Sequence, residues 1–181
     1  ADDAFLSYYE LIHDPFTPRV PGFKFFPAQR KSVLGQLHHL ARYGQLLLLI
    51  VGPKGSGKTL LRQALVASTN KQAVHTVILS GRECVGESGV LAQIARGIEA
   101  GTSSSNAILS RAGQLAMTGQ EVYLLVDDAG LLEDQALQAL LSLAAGNGEG
   151  RLHVFLFSGA DIEERLRELS EEEKGFHCIE L

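Results

Sequence analysis

The sequence predicts an α/β fold: a parallel sheet of five strands with helices on both faces, three layers in all. Three observations carry this. Short runs of continuous apolar residues recur along the chain, each of strand length. They alternate with stretches whose apolar residues recur at three and four, and strands buried on both faces between such helices mean a parallel sheet. The chain has 181 residues, 45% of them apolar, which suits one compact core needing no disulfide or metal staple.

The elements follow in order. Residues 1–26 are rich in Pro and aromatics, among them Tyr8, Tyr9, Pro15, Phe16, Pro18, Pro21, Phe23, Phe25 and Phe26. Proline fixes φ and removes a donor, so this stretch reads as an irregular arm lying on the domain. From Pro27, Val33, Leu34, Leu37, Leu40 and Ala41 recur at helical spacing up to Gly44, the pattern of an amphipathic helix with proline at its start. Gln45–Val51 is the first strand, followed by a Gly-rich turn and a helix from about Lys58 to Ser68. Ala73–Ser80 is a second strand, Ser88–Ala100 a helix with Ser88 as its cap, and Thr102–Ser105 a polar loop. Ala107–Met117 is a helix, Glu121–Val126 a strand ending in Asp127, and Asp134–Ala144 a helix. Arg151–Phe157 is a strand, Asp161–Leu169 a charged helix, and Phe176–Leu181 a last short strand. Two units are expected: residues 1–44, arm and first helix packed on the core, and residues 45–181, the core itself.

Composition excludes several classes. Disordered, collagen-like and disulfide-rich chains do not look like this. The longest apolar run, Leu46–Val51, is too short to span a bilayer. The chain begins at Ala1 and its only methionine is Met117, so a fragment is expected, with any targeting or membrane region outside it. Net charge is −5, which argues against a dedicated nucleic-acid binder. The charge is uneven: residues 1–62 carry eight basic against four acidic residues, and 63–181 eight against seventeen. Cys84 and Cys178 have no CxxC spacing and read as reduced, at least half-buried thiols. His38 and His39 are adjacent on the first helix, about 100° apart, and cannot chelate one metal together. Glu171-Glu172-Glu173 reads as a solvated helix end, with partner contact as the alternative.

The strongest motif is Gly52-Pro53-Lys54-Gly55-Ser56-Gly57-Lys58-Thr59, followed by Leu60. It fits G-x-x-x-x-G-K-[ST] at every fixed position, between a buried strand and a helix. A loop that wraps a phosphate chain turns backbone N–H groups inward, which needs conformations that glycine adopts cheaply. Gly52, Gly55 and Gly57 are expected to supply them. The helix from Lys58 aims its positive end at the phosphates. Lys58 is expected to reach the terminal phosphate oxygens, and Thr59 to offer a hydroxyl to Mg²⁺. Lys54, Lys58 and Arg62 then account for part of the basic excess, gathered around a polyanion.

Val122–Val126 leads into Asp127-Asp128. A carboxylate at the carboxyl end of a buried strand faces the ligand crevice of an open α/β sheet. Asp127 is therefore the candidate to hold Mg²⁺ through its water, and Asp128 the candidate to orient the attacking water. Many ATPases have Glu at the second position. Asp is one methylene shorter, about 1.5 Å, and a misplacement of that order can cost ~100-fold in rate. The alternative for the pair is a simple strand-end turn. Ser158, at the end of another strand, would lie beside the γ-phosphate and sense it; alternatively Ser158 or Asp161 caps the following helix.

These motifs resemble a P-loop AAA+ ATPase domain, in particular the ExeA/GspA-type secretion ATPases and the AAA domain of DamX-like (SPOR-protein) cell-division proteins. The resemblance runs from Tyr8-Tyr9-Glu10-Leu11 and Asp14-Pro15-Phe16, through Phe25-Phe26-Pro27-Ala28-Gln29-Arg30 and both phosphate motifs, to Ser158–Leu166. It implies a P-loop NTPase core with strand order 5-1-4-3-2. It also implies ATP or ADP with Mg²⁺ as ligands, and self-association through the AAA+ face. Pro15, Phe16 and Phe26 are implied as covers for the adenine, with plain core packing as the alternative for each. The absence of an Asn/Thr-Lys-x-Asp element tilts the choice of nucleotide to ATP.

The resemblance further implies a cytoplasmic domain of an inner-membrane bacterial protein. Its setting would be the cell envelope, in division, peptidoglycan binding or secretion, with partners held by regions outside these residues. The departures are Asp128 in place of Glu, no helical lid after Leu181, and Gly175-Phe176-His177-Cys178 where an arginine acting across a subunit boundary would often sit. Hydrolysis by this chain alone is then expected to be slow or absent. Two other readings share the same core: a DNA-transaction ATPase of the transposition-regulator type, and a scaffold that holds nucleotide without turnover.

Overall fold

The computed structural model describes residues 27–44, 47–170 and 175–181. The arm of residues 1–26, with Pro15, Phe16 and Phe26, lies outside the described residues, as do Gln45, Leu46 and Glu171–Glu173.

Five strands form one sheet in the order β2-β3-β4-β1-β5, all parallel. This is the expected order read from the other edge. The strands are β1 (Leu47–Val51), β2 (Val74–Ser80), β3 (Glu121–Asp127), β4 (His153–Ser158) and β5 (Phe176–Glu180). Around them lie α1 (Pro27–Tyr43), α2 (Lys58–Ser68), α3 (Glu87–Ile98), α4 (Ser105–Met117), α5 (Asp134–Ala145) and α6 (Ile162–Leu169). Every residue of β1 and β4 is buried, as a central parallel strand covered on both faces requires.

Successive residues of a strand point to opposite faces, so the sheet divides the core in two. Leu47, Leu49 and Val51 join Leu124, Val126 and Leu156 beneath α3, α4, α5 and α6. Leu48 and Ile50 join Leu125, Phe155 and Phe157 beneath α1 and α2, where Leu34, Leu37, Leu61 and Leu65 cover them. Each such side chain contributes about 1.5–3 kcal/mol by leaving water. No helix among the described residues is long and apolar enough to cross a membrane.

Several element ends differ from the sequence expectation, each for a local reason. Ser88 does not cap α3. The helix starts at Glu87 after Gly86, with no side-chain cap, because the loop before it is held by the Glu133 N–H on the Val85 carbonyl (2.9 Å). It stops at Ile98, since Glu99 turns left-handed (φ 58°) and closes the last turn. Helix α4 begins two residues early, because Ser104 Oγ accepts from Ala107 N–H at 3.1 Å. Arg151 and Leu152 stand outside β4. Arg151 instead donates to the Ala144 (3.0 Å) and Gly44 (2.8 Å) carbonyls, tying the entry of β4 to α5 and the end of α1. Gly44 does end α1: its N–H donates to Leu40 O, so close that a Cβ would lie 2.7 Å from that oxygen.

Candidate functional site

In an open α/β sheet, ligands sit at the carboxyl ends of the strands. A cleft of about 720 Å³ opens there, at the ends of β1, β3 and β4. Gly52, Pro53, Lys54, Gly55, Gly57, Lys58, Thr59, Leu60, Asp127, Asp128 and Ser158 all line it. The fold therefore brings together, from three strands, residues separated by about a hundred positions. Ser56 does not line the cleft; its hydroxyl is buried and has no hydrogen-bond partner.

The turn between β1 and α2 is held from both sides. Gly52 N–H donates to Ser158 O (3.2 Å) and Ser56 N–H to Pro53 O (3.0 Å). Gly55 (φ 85°) and Gly57 (φ 94°) adopt left-handed conformations that a side chain would strain. Gly52 does not share that conformation among the described residues, which corrects the expectation for it; there a Cβ would run into the Ser56 side chain. Lys58 is the first residue of α2. Its ammonium folds back to donate to the carbonyls of Gly52 and of Pro53 (3.1 Å), so the cation already sits inside the turn.

Asp127 ends β3 and is one-quarter exposed. Burial pushes its pKa up; the Arg62 guanidinium counters this and the Asp128 charge adds to it. Arg62 does not itself line the cleft, but it is paired with Asp127, which does. One turn along α2 from Lys58, it puts Nε 2.6 Å from Asp127 Oδ2. Asp128 follows in a left-handed conformation (φ 50°) and starts the short turn Ala129–Leu131. It is thus both a strand-end turn and a wall of the cleft. Its Oδ2 accepts from Arg82 Nε at 2.8 Å. The Asp128 carbonyl also lies against Gly81, at the end of β2, where no Cβ would fit.

Ser158 stays in β4 and is buried. It does not cap α6: Asp161 occupies the capping position, and neither side chain makes a capping hydrogen bond. Its hydroxyl faces Gly130, where a Cβ would come within 2.9 Å. The turn carrying Asp128 is clamped from α6. Arg165 donates to the Gly130 carbonyl (2.9 Å), the Leu132 carbonyl (2.7 Å) and Asp134 Oδ1 (2.7 Å).

The donor set fits Mg²⁺. Thr59 and Asp127 offer hard oxygen donors to one cleft. No cluster of three or more His, Cys, Asp or Glu among the described residues could hold a metal by itself. Magnesium bound through one or two protein oxygens plus phosphates and waters needs no such cluster. Sequence reasoning missed Arg82, Gly130, Leu131, Phe157 and Gly159 as cleft walls, and missed Asp161 there, having weighed it only as a cap. Only Gly159 and Phe157 carried a signal, as neighbours of Ser158 at a strand end.

A second cavity of about 550 Å³ lies at the opposite end of β3 and β4. Glu121, Tyr123 and His153 line it together with His38, His39 and Arg42 from α1. His153 Nε2 and Glu121 Oε2 are 2.9 Å apart. Burial pushes the His153 pKa down; Glu121 opposes this and Arg151 adds to it. His38 is bonded to Ser68 Oγ at 2.7 Å and His39 is exposed, in keeping with two separate histidines.

The five-stranded parallel sheet, with a glycine-rich turn between its interior strand β1 and a helix, defines a P-loop NTPase-like α/β domain. The chain belongs to the AAA domain family, whose model matches residues 41–166. Drosophila ORC, in a structure bound to DNA, is similar over 99% of this chain and 46% of its own, with 22% identity and a TM-score of 0.70. Cdc6p from Pyrobaculum aerophilum is similar over 92% of this chain and 48% of its own, with 18% identity and a TM-score of 0.61. At these identities the likeness is one of fold, and the chain spans about half the length of either structure. No curated protein matches it.

Proposed function

We propose that the chain is the nucleotide-binding part of an AAA+ protein, taking ATP with Mg²⁺ and acting as a nucleotide-dependent switch or weak ATPase. One observation carries this: Lys58 and Thr59 from the turn after β1, Asp127 and Asp128 from β3, and Ser158 from β4 line a single cleft. In the proposed mechanism the amides of the turn and the start of α2 bind the phosphate chain. Lys58 exchanges its two carbonyl partners for phosphate oxygens, a short swing for a flexible ammonium. Thr59 and Asp127 hold the metal, which when bound supplies charge neutralisation at the phosphates. Asp128 orients water once it leaves Arg82, and Ser158 senses the terminal phosphate.

The Asp128 pairing favours a second reading, a scaffold that holds nucleotide without turnover, since the shorter acid is also engaged elsewhere. The broader setting rests on the motifs resembling ExeA/GspA-type and DamX-like proteins: a cytoplasmic domain of an inner-membrane bacterial protein, self-associating through the nucleotide face. The DNA-transaction reading draws on the fold shared with ORC, whose structure holds DNA.

Calorimetry with ATP or ADP and Mg²⁺ tests the core of the proposal. Heat of binding that Lys58→Ala abolishes, with an unchanged melting curve, supports it; no heat from the wild-type chain overturns it. Phosphate release measured alongside separates a weak ATPase from a scaffold. A DNA gel shift that depends on both ATP and salt would replace the envelope reading.

A further inference from the structure

The cation nearest the candidate metal carboxylate is not the P-loop lysine. Lys58 is turned onto the Gly52 and Pro53 carbonyls. Arg62, four residues on and therefore on the same face of α2, holds Asp127 Oδ2 at 2.6 Å. The two side chains are 17% and 25% exposed, too enclosed for salt to screen them fully. Opposite charges at this range bind one carboxylate closely, and both the charge and a side-chain hydrogen bond of Arg62 favour the ionised Asp127. A second cation would have to share that carboxylate with Arg62 or displace it.

Resting on the nucleotide reading above, we propose that Arg62 is the standing counter-ion of Asp127, and that it sets how strongly nucleotide binding depends on Mg²⁺. Without metal, a bare Asp127 carboxylate would face the polyphosphate in a half-enclosed cleft; Arg62 cancels that repulsion. With metal, Mg²⁺ and Arg62 compete for the same carboxylate. Arg62 therefore strengthens metal-free binding and weakens metal-assisted binding. Both effects narrow the gap between the two.

The test uses the 181-residue chain and fluorescent ADP, titrated once with Mg²⁺ and once with EDTA. The quantity read is the ratio of the EDTA Kd to the Mg²⁺ Kd. Arg62→Gln should raise this ratio roughly tenfold, the effect of stranding a partly enclosed charge, discounted for its exposure. Arg62→Lys should raise it less. Asp127→Asn leaves the guanidinium without its acid and should tighten binding in EDTA about fivefold on the same grounds. This variant keeps the test decisive if Arg62→Gln fails to fold. In the Asp127→Asn background, Arg62→Gln should no longer raise the ratio. An unchanged ratio in the folded Arg62 variants, or unchanged EDTA binding in Asp127→Asn, overturns the role of Arg62 while leaving the nucleotide site standing. A wild-type chain that binds ADP under neither condition overturns both.

Discussion

Arg82 Nε donates to Asp128 Oδ2 at 2.8 Å, joining the loop after β2 to the turn after β3 across 46 residues of sequence. The side chains are 75% and 43% exposed, so the pair lies largely in water and adds little to stability. Its importance is positional, because it engages the acid proposed to orient water. Arg82→Ala should therefore move the unfolding free energy by less than about 0.5 kcal/mol and raise phosphate release per bound nucleotide. Asp128→Glu should act in the same direction by restoring reach. A fall in turnover with either variant would mean that the acid is already well placed.

Arg165 should matter more to the fold. Its guanidinium makes two charge-assisted bonds to main-chain carbonyls and two more to Asp134 Oδ1. Arg165→Ala should cost about 2 kcal/mol, read by urea unfolding. Arg165→Lys should recover less than half of this, because an ammonium cannot span the three acceptors as a planar fork does.

Acid should destabilise the protein partly through His153. Its folded pKa lies below the ordinary 6.5, so the unfolded chain takes up the proton first as pH falls. Stability is full above that ordinary value and is lost as pH drops from it towards the folded pKa. His153→Gln should flatten the pH dependence of unfolding as pH falls below the ordinary 6.5. An unchanged slope would place the titrating group elsewhere.

The two thiols should resist alkylation unequally. Burial first, then Glu163, which is also hydrogen-bonded to it, pushes Cys178 up to about 11, while burial and Glu83 push Cys84 up as well. At pH 8, a pKa of about 11 leaves roughly one Cys178 in a thousand as thiolate. Iodoacetamide mass spectrometry should find Cys178 the slower of the two, and both slower than in urea.

Much of this was legible in the sequence, for identifiable reasons. Strands buried on both faces carry unbroken apolar runs, so β1, β3 and β4 announce themselves, and with them the strand ends that hold Asp127 and Ser158. The phosphate turn is legible because its spacing is its mechanism. Helix ends set by tertiary contacts were not: nothing in the order of residues says that Glu133 will hold Val85, or that Arg151 will leave its strand for Gly44. The same holds for the arginines. Arg62 reads in sequence only as part of the basic charge around the phosphate turn, and Arg82 and Arg165 as ordinary surface-type residues; their partners are fixed only when the sheet order sets carboxylates and carbonyls beside them.

The close approach of Gly81 to the Asp128 carbonyl, with Gly81 N–H bonded to Asp127 O at 2.8 Å, has a mechanical consequence. Two adjacent strand tips that interlock at the main chain cannot slide past one another. The segment 81–86 that leads into α3 is thereby anchored to the turn that carries Asp128. Any side chain at Gly81 would meet that carbonyl and force the two tips apart.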